Sequence, residues 1–501
     1  MKKLVIGLLI ITGALAVAPY FIGMQAQTRL ETGLETLTDM TGELYDIKLE
    51  DYERGWFAST GKVRYSMSDA YVQSNPVLSQ ANDDGKSFGD MLTDGFTQEI
   101  TVAHGPILWG PHLALGLARV ENVIAGAGIP EVEAAMKDMG LKYFVRTQIF
   151  LDFTGSGSLE VDAPSFEYQI PGEETEILFA GAKAKGAIAL ADMHIVADGV
   201  IHGFSAQAPP VDYASGPMKF SFDMRYPESD PYGLGYAKIT MDRFLFIDTE
   251  NNNSFDMAGI SFNTNSEKTA EGMVDFGASY RVDRLQAPEV NLSNMALGAS
   301  LGNVRSSTVV GLQESMTTLQ AASTDPANLD PQAALAAISD PAYDLIADGA
   351  TVAFDPISFT MNDQPFSVSM RLQSKPENLP ERAAFDFSNP LLFMGLFKVH
   401  TTMSANRDLV IEMAMPQLKE QMRAGVPECV EVSEEQLEAM VRAQAPMMIG
   451  ALVGQGYIRE EGDMYTLEAT FDNGELTLNG TPLPLGALLG AGGDAPALSS
   501  R

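Results

Sequence analysis

The feature that most constrains the fold is a long stretch, from Tyr45 to about Gln286, in which apolar and polar residues alternate with a period of two. Successive side chains of a β-strand point to opposite faces of its sheet, so this period is typical of strands with one buried face. The clearest case is Met218 to Tyr226, where Met, Phe and Tyr alternate with Lys, Ser, Asp and Arg. Gly, Asn, Asp and Pro interrupt the pattern at turns, so the stretch predicts a long antiparallel meander.

Helical spacing appears after this stretch. Apolar residues three and four apart from Val309 to Leu319 predict one helix, and an Ala-rich helix is predicted from Pro331 to about Asp348. Two more are predicted, one near residues 406–424 and one after Ser433, which with Gln436 has the form of a capping box. Pro446 is predicted to end or kink the last helix.

Strands return between and after these helices. Alternation predicts strands at 366–373 and 396–403, and Asp472-Asn473-Gly474 between two alternating runs is a strong hairpin signal. The predicted class is therefore α+β and β-dominated: a large, mainly antiparallel sheet body with a few helices in the C-terminal half.

A run of nineteen uncharged and mostly apolar residues, Leu4 to Ile22, follows Lys2 and Lys3. A hydrocarbon core of about 30 Å needs about 20 helical residues, so the run predicts a single N-terminal transmembrane helix. A cleaved signal peptide is the alternative, and cleavage after Ala16 stays open, but the run exceeds the usual 7 to 15 residues of a signal peptide. The positive-inside rule places the N-terminus in the cytoplasm and exports the rest.

These patterns divide the chain into five predicted segments. The 25–44 helix, with Leu30, Leu34, Leu37 and Leu44, is expected to pack on its own domain rather than to form a short dimerising coiled coil. The segments are a cytoplasmic tip and transmembrane anchor at 1–24, a juxtamembrane amphipathic helix at 25–44, a β-rich exported region at 45–322, a mixed helix and strand region at 323–489, and a disordered tail at 490–501.

Charge and cysteine content limit the partners and the chemistry. With 66 acidic and 32 basic residues the net charge is −34, so the surface as a whole repels nucleic acid and anionic lipid headgroups. The lipid bilayer is then contacted through residues 4–22. Cys429 is the only cysteine, so no intrachain disulfide can form.

No motif for metal, cofactor or catalysis emerges. The five histidines have no metal-ligand spacing, and neither a phosphate-binding loop nor a nucleophile elbow is present. The ladder from Asp248 to Asp256 resembles the start of a calcium loop, but Asn253 stands where such a loop needs Gly, and Gly259 where it needs Glu. We therefore expect no metal ion, no cofactor and no catalytic residue.

Three motifs resemble those of the YdgA-like family of bacterial proteins of unknown function. Tyr52 to Ser59 reads Y-E-R-G-W-F-A-S, similar to the family signature Y-x-R-G-x-F-x-S, about 30 residues beyond the membrane helix. A strand followed by His-Gly-Pro and a terminal N-G-x-x-T-L-N-G hairpin agree as well. The motif residues are Tyr52, Arg54, Gly55, Phe57, Ser59, His104, Gly105, Pro106, Asn473, Gly474, Asn479 and Gly480.

The resemblance implies a Gram-negative inner-membrane protein with a periplasmic, β-rich body, and it is compatible with a homodimer. It brings no catalytic residues. Together with 26 Met and 25 Phe, it favours a non-enzymatic protein whose sheet binds a lipid or an envelope protein partner. A periplasmic hydrolase using paired carboxylates and an oligomeric envelope scaffold are the alternatives.

Overall fold

The structure, a computed structural model, describes most of the chain between Tyr45 and Leu483. The predicted anchor at 4–22, the tail at 490–501 and Cys429 lie outside the described residues. Among the residues that are described, no helix is long and apolar enough to cross a membrane. The described residues are 27–28, 31, 34, 38, 45–68, 71–72, 89, 92–93, 95–108, 114–125, 130–189, 193–227, 232–269, 271–288, 290–322, 331–385, 392, 395–425 and 433–483.

Contacts within the chain divide it into two compact units. The first unit is Met1–Asn253 with Gln313–Ala337, and the second is Ser254–Leu312 with Ile338–Arg501. Antiparallel strands dominate both units, and the described residues form five α-helices, which confirms the predicted β-dominated class. The predicted segments 45–322 and 323–489 describe a change of pattern along the sequence and stay predictions.

In the first unit, strands follow one another with short connections. Its sheet runs in the order β1, β2, β3, β6, β7, β8 and then the meander described next, with every pairing antiparallel. The elements are β1 Tyr45–Arg54, β2 Ala58–Met67, β3 Phe96–His104, β4 Ile107–Leu108, β5 Ala114–Leu115, β6 Ala118–Ile124, α1 Pro130–Asp138, β7 Val145–Leu151, β8 Ser156–Ala163, β9 Phe166–Gln169, β10 Glu176–Phe179, β11 Ala182–Ala189, β12 His194–Ile201, β13 Phe204–Ala208, β14 Val211–Ser215, β15 Met218–Arg225 and β16 Leu234–Asp248.

The predicted meander is confirmed for β8 to β16, with one irregularity that crosses all of it, but α1 interrupts the run of strands that alternation predicted from Tyr45 to about Gln286. The meander has five long strands, and each of the first four consists of two segments that follow one another along the chain. These are β8 and β9, β10 and β11, β12 and β13, and β14 and β15, and the fifth strand is β16. Regular pairing stops at the same level in each, and two breaks contain glycines in unusual conformations, Gly181 at φ 93° and Gly203 at φ 142°. The register is the same on both sides, and His202 N donates to Gly181 O at 2.8 Å across the break. The meander is therefore one sheet with a line of breaks across it.

The second unit alternates long strands with paired helices. Its strands pair in the order β17, β18, β19, β20, β21, β22, β24, β25, β26, and β23 pairs with the start of β24. The elements are β17 Asn253–Lys268, β18 Met273–Ala287, β19 Val290–Arg305, α2 Ser306–Ala322, α3 Pro331–Asp348, β20 Thr351–Met361, β21 Gln364–Ser374, β22 Phe397–Asn406, α4 Arg407–Gly425, α5 Glu434–Gly454, β23 Arg459–Glu461, β24 Met464–Asp472, β25 Glu475–Leu478 and β26 Thr481–Leu483, with short 3₁₀ turns at Pro376–Asn378 and Arg382–Ala384.

Two helices connect neighbouring strands at two places along the chain. Helices α2 and α3 lie between β19 and β20, and α4 and α5 lie between β22 and β24. Each connection is closed by polar contacts. The buried carboxylate of Asp348 accepts from Arg305 N at 2.9 Å and Thr308 Oγ1 at 2.7 Å, and Arg407 N donates to Asp463 O at 3.0 Å.

The helix signals in the sequence are largely confirmed. Gln436 N donates to Ser433 Oγ at 3.2 Å and Ser433 N to Gln436 Oε1 at 3.1 Å, which completes the predicted capping box. Pro446 is predicted to end or kink the last helix; it does not end it, because α5 continues to Gly454, and the kink stays a prediction. The same buried stripe continues past the proline, so packing offsets the lost hydrogen bond. That stripe is Leu437, Val441, Ala445 and Ile449.

A small core forms where the chain enters the first sheet. Leu34, from the helical residues that precede β1, is 8% exposed and packs among side chains of β2, β3 and β6. Ile47 N donates to Thr38 Oγ1 at 3.3 Å beside this core. These contacts support the interpretation that the helix packs on its own domain. The other members of the cluster are Val63, Ile100, Val102 and Ala118.

Candidate functional site

The Tyr52-to-Ser59 motif forms the tight connection between β1 and β2. Gly55 N donates to Ala58 O at 2.9 Å, and a Cβ on Gly55 would lie only 2.3 Å from that oxygen. The register of β1 shifts between Glu50 and Glu53, as at a β-bulge. The Tyr52 ring lies against Gly61, where a Cβ would be 2.9 Å from the ring. The motif needs glycine at 55 because any side chain would collide with the turn.

The His-Gly-Pro motif is brought to the same place by pairing of β2 with β3. Ser59 lies opposite Val102, and the Ser59 Oγ to His104 Nε2 distance is 2.9 Å. His104 N donates to Phe57 O at 2.8 Å. At Gly105 a Cβ would lie 1.7 Å from Gly116 O, so only glycine fits there. Two of the three sequence motifs therefore meet, although 45 residues separate Ser59 from His104.

The side chains of Tyr52, Ser59 and His104, which we name the motif cluster, lie in a poorly solvated place. Ser59 and His104 are 1% and 2% exposed. Burial lowers the pKa of His104, against an interaction of the ring with the Trp56 backbone that raises it, so the ring is neutral near pH 7. Burial likewise raises the pKa of Tyr52, against an opposing interaction with Ser59. Neither His104 Nδ1 nor the Tyr52 hydroxyl has a hydrogen bond of ordinary geometry to any described residue.

A serine hydroxyl next to a neutral histidine is the first element of a nucleophile and base pair. Such a pair also needs a group that orients the histidine and an approach for the substrate. The motif cluster offers neither among the described residues, since no side chain bonds Nδ1 with ordinary geometry and both Ser59 and His104 are buried. Its geometry fits a polar contact that fixes β2 against β3. Two aromatic side chains of the motif point outward instead, Trp56 at 50% and Phe57 at 62% exposure.

The terminal motif forms two turns and one hydrogen-bonding centre. Asn473 and Asn479 have φ near 50°, and the glycines after them have φ 78° and 82°, as the turn type requires. Asn479 Nδ2 donates to Tyr457 O at 3.0 Å, and its Oδ1 accepts from Glu468 N at 2.9 Å. Asn473 Oδ1 accepts from Lys375 Nζ at 2.9 Å. These residues hold β24 and β25 to their surroundings and lie apart in sequence and strand order from the motif cluster.

The expectation that the chain binds no metal ion stays a prediction. The described residues contain no group of three potential ligands that could hold an ion. Asp248 closes the turn after β16, accepting from Glu250 N and Asn251 N at 3.1 Å, and a hydrogen bond from the Asn251 side chain lowers its pKa. His194 Nε2 lies 2.6 Å from Asp223 Oδ1, as an isolated pair.

Paired carboxylates occur, but in a form that suits an ion pair. Asp340 and Asp344 both bond the Arg382 guanidinium, which lies 4.3 Å over the Tyr343 ring. The nearby carboxylates raise the pKa of Arg382, led by the hydrogen bond to Asp340. Both carboxylates are held by one cation, which is the arrangement of an ion-pair network rather than of a general acid and base facing a substrate.

Sequence reasoning found the motif residues but missed the contact between them. The available signal was polar residues, Ser59 and His104, at positions that alternation assigns to the apolar face of β2 and β3. Without the pairing register, that signal does not say that the two residues meet.

The fold and the motif cluster define the class: a protein built mainly from antiparallel sheets, in which short sequence motifs fix the first hairpin. The family whose sequence model matches residues 1–486 is described as "Bacterial protein of unknown function (DUF945)", and the chain belongs to this family. No curated protein and no solved structure matches the chain.

Proposed function

We propose that this chain is a non-enzymatic YdgA-like protein of the bacterial inner membrane whose sheet binds the apolar part of a lipid. Residues 4–22 would cross the membrane once, with the N-terminus in the cytoplasm and the body in the periplasm. Support for this address comes from the uncharged run after Lys2 and Lys3. Support for the family name comes from the motif Tyr52 to Ser59.

One observation carries the lipid proposal: an apolar face on the sheet of the second unit. Seven neighbouring strands, β17 to β22 and β24, contribute directly opposed apolar side chains, which share one face of the sheet. We name this row, with the two that run beside it, the apolar face. Its first row is Phe262, Tyr280, Leu297, Ile357, Val368, Met403 and Leu467, its second contains Ala278, Ala299, Phe354 and Met370, and its third contains Phe276, Leu301, Val352, Leu372, Val399, Phe471 and Leu476.

Parts of the apolar face are open to solvent. Phe262 is 42% exposed, Leu297 44% and Met370 36%, whereas Val63 and Val102 in the core of the first unit are 1% exposed. These three side chains lie on alternate strands, β17, β19 and β21. Burying apolar surface is favourable by about 25 cal/mol per Å², so a ligand that covers them gains binding energy. Large exposed apolar surface marks interaction sites in soluble domains.

The dimensions of the apolar face suit an acyl chain. Seven strands about 4.8 Å apart make a row of about 29 Å, longer than the roughly 15 Å of one leaflet of the hydrocarbon core. An extended chain can therefore lie across the row. Met370 and Met403 add flexible, polarizable side chains, which adapt to an apolar partner of variable shape.

Site-specific photocrosslinking in living cells tests the proposal. The full chain carries p-benzoylphenylalanine in place of Leu297, and irradiation is followed by mass spectrometry of the purified protein. We expect lipid adducts at this position. The matched control places the same group at Phe153, which is 58% exposed in a turn of the first unit and should give few adducts.

Two results would count against lipid binding. Equal adducts at positions 297 and 153 would mean contact with lipid in general, without a site. A single protein adduct at 297, with no lipid, would instead favour an envelope protein partner on the same face.

A further inference from the structure

A second surface, on the meander of the first unit, is charged opposite to the chain as a whole. Four exposed lysines lie on one face of three strands: two on β11, one on β15 and one on β16. Together they line a cleft of about 680 Å³. We name it the lysine cleft and define it by Lys183, Lys185, Asp198, Lys219 and Lys238.

The strand register explains why these lysines converge. Lys183 and Lys219 both lie opposite Val200 of β12, one on each side of it. Lys219 lies opposite Thr240, two residues from Lys238, so the two lysines are diagonal neighbours on adjacent strands. Residues opposite each other in a sheet share a face, so all four ammonium groups project on the side of the sheet away from Phe220 and Ile239.

The charges in the lysine cleft are only partly neutralised. Lys185 Nζ lies 3.3 Å from Glu160. The side chains of Lys183, Lys219 and Lys238 make no hydrogen bond or ion pair with any residue that the structure describes. Asp198 lines the cleft, and Asp162, opposite Lys183, accepts a hydrogen bond from the Tyr143 hydroxyl at 2.8 Å. No two of these lysines lie directly opposite each other, and the nearest like charges on neighbouring strands are the diagonal neighbours Lys219 and Lys238, which have no carboxylate directly opposite them among the paired residues.

The side chains also indicate which anion fits. Ammonium groups act as compact point charges, which suits a phosphate held by several donors. The cleft contains no Arg for bidentate recognition of a carboxylate. The Asp198 carboxylate can accept a hydrogen bond from a hydroxyl of the ligand, and the lysines beside it can bind the phosphate.

We propose that the lysine cleft binds a phosphate ester that carries a neighbouring hydroxyl, the chemistry of glycerol phosphate. The ester can be the headgroup of an anionic lipid or a free metabolite. This site lies on the first unit and does not rest on the proposal for the apolar face of the second.

Calorimetric titration of the full chain in neutral detergent micelles tests the site. The probes are glycerol 1-phosphate, dihexanoylphosphatidylglycerol and dihexanoylphosphatidylcholine, which has the same acyl chains but no net charge. We expect saturable binding of glycerol 1-phosphate or of the glycerol lipid that weakens as salt is added. Binding of the glycerol lipid but not of glycerol 1-phosphate would identify a lipid headgroup as the source, and binding of both would admit a free ester.

Charge-matched variants make the test specific. The triple variant K183Q/K219Q/K238Q should weaken binding about tenfold or more, because it removes three charge contacts. The control K137Q/K142Q/K398Q, which removes three exposed lysines elsewhere, should change Kd by less than about twofold. Asp198→Asn should have the opposite effect on affinity: inorganic phosphate should bind more tightly, because the repelling carboxylate is gone.

The proposal is overturned if neither glycerol 1-phosphate nor the glycerol lipid binds. It is equally overturned if the two triple variants lose affinity alike, because net charge would then explain the binding, or if the choline lipid binds as well as the glycerol lipid and free glycerol 1-phosphate does not bind.

Discussion

The residue types of the first motif are set by space as much as by polarity. Gly55 and Gly105 each sit where a Cβ would meet a backbone oxygen, at 2.3 Å and 1.7 Å. Ser59 and His104 then place one hydrogen bond between β2 and β3, on the same face as the buried Val63 and Val102. A buried polar pair of this kind favours one register, because a slip by one residue would leave both groups unpaired.

The buried His104 should make stability depend on pH in a specific window. Burial lowers its pKa in the folded state below the unfolded value of about 6.5. The contribution of the neutral ring is therefore complete above about pH 6.5, declines as the pH falls below that value, and is lost below the folded-state pKa. In urea unfolding, the wild type should lose more stability between about pH 7 and about pH 5 than His104→Asn does.

His202→Asn serves as the control for that comparison, because His202 is exposed in the same unit. Its loss of stability over the same interval should match the wild type. If His104→Asn also matches the wild type, the proton linkage assigned to His104 is absent.

At the scale of elements, the sequence predicted what depends on local pattern. Alternation located the meander, the capping box at Ser433 located the start of α5, and Asn473-Gly474 located a hairpin. It missed what depends on pairing, namely the meeting of Ser59 with His104 and the convergence of the lysines. It could not tell whether Pro446 ends the helix, because the cost of an internal proline, about 3 kcal/mol, is local while the packing that offsets it is not.

Two glycine substitutions should have opposite effects because their surroundings differ. Gly105→Ala would force Cβ against the Gly116 carbonyl, and we expect a loss of about 3 kcal/mol or more in the free energy of unfolding. Gly450→Ala lies inside α5 with open space around the new Cβ, and a gain of up to about 1 kcal/mol is expected from helix propensity. Urea unfolding of the two variants and the wild type measures both.

Equal stability of Gly105→Ala and wild type would show that the β3 to β5 connection can move aside. A loss at Gly450 would mean that the exposed face of α5 has a close neighbour in solution.

At the scale of the whole molecule, the proposed membrane anchor makes the clearest prediction. Intact mass spectrometry of protein extracted from membranes should give a mass that includes residues 1–24. Leu9→Arg places a charge in the middle of the run, where it costs about 2.5 to 3.5 kcal/mol, and should move protein out of the membrane fraction. Leu9→Val keeps the run apolar and should not. A mass that begins after Ala16 would identify a cleaved signal peptide instead.

The paired helices have a consequence for how this chain can change in length. Each pair leaves the sheet at one strand and returns at the strand already beside it, β19 to β20 and β22 to β24. The strand order therefore does not depend on what lies between those strands. Residues can be added to the chain between α2 and α3, or between α4 and α5, without moving any strand to a new neighbour, so the sheet tolerates growth there that it would not tolerate within a strand.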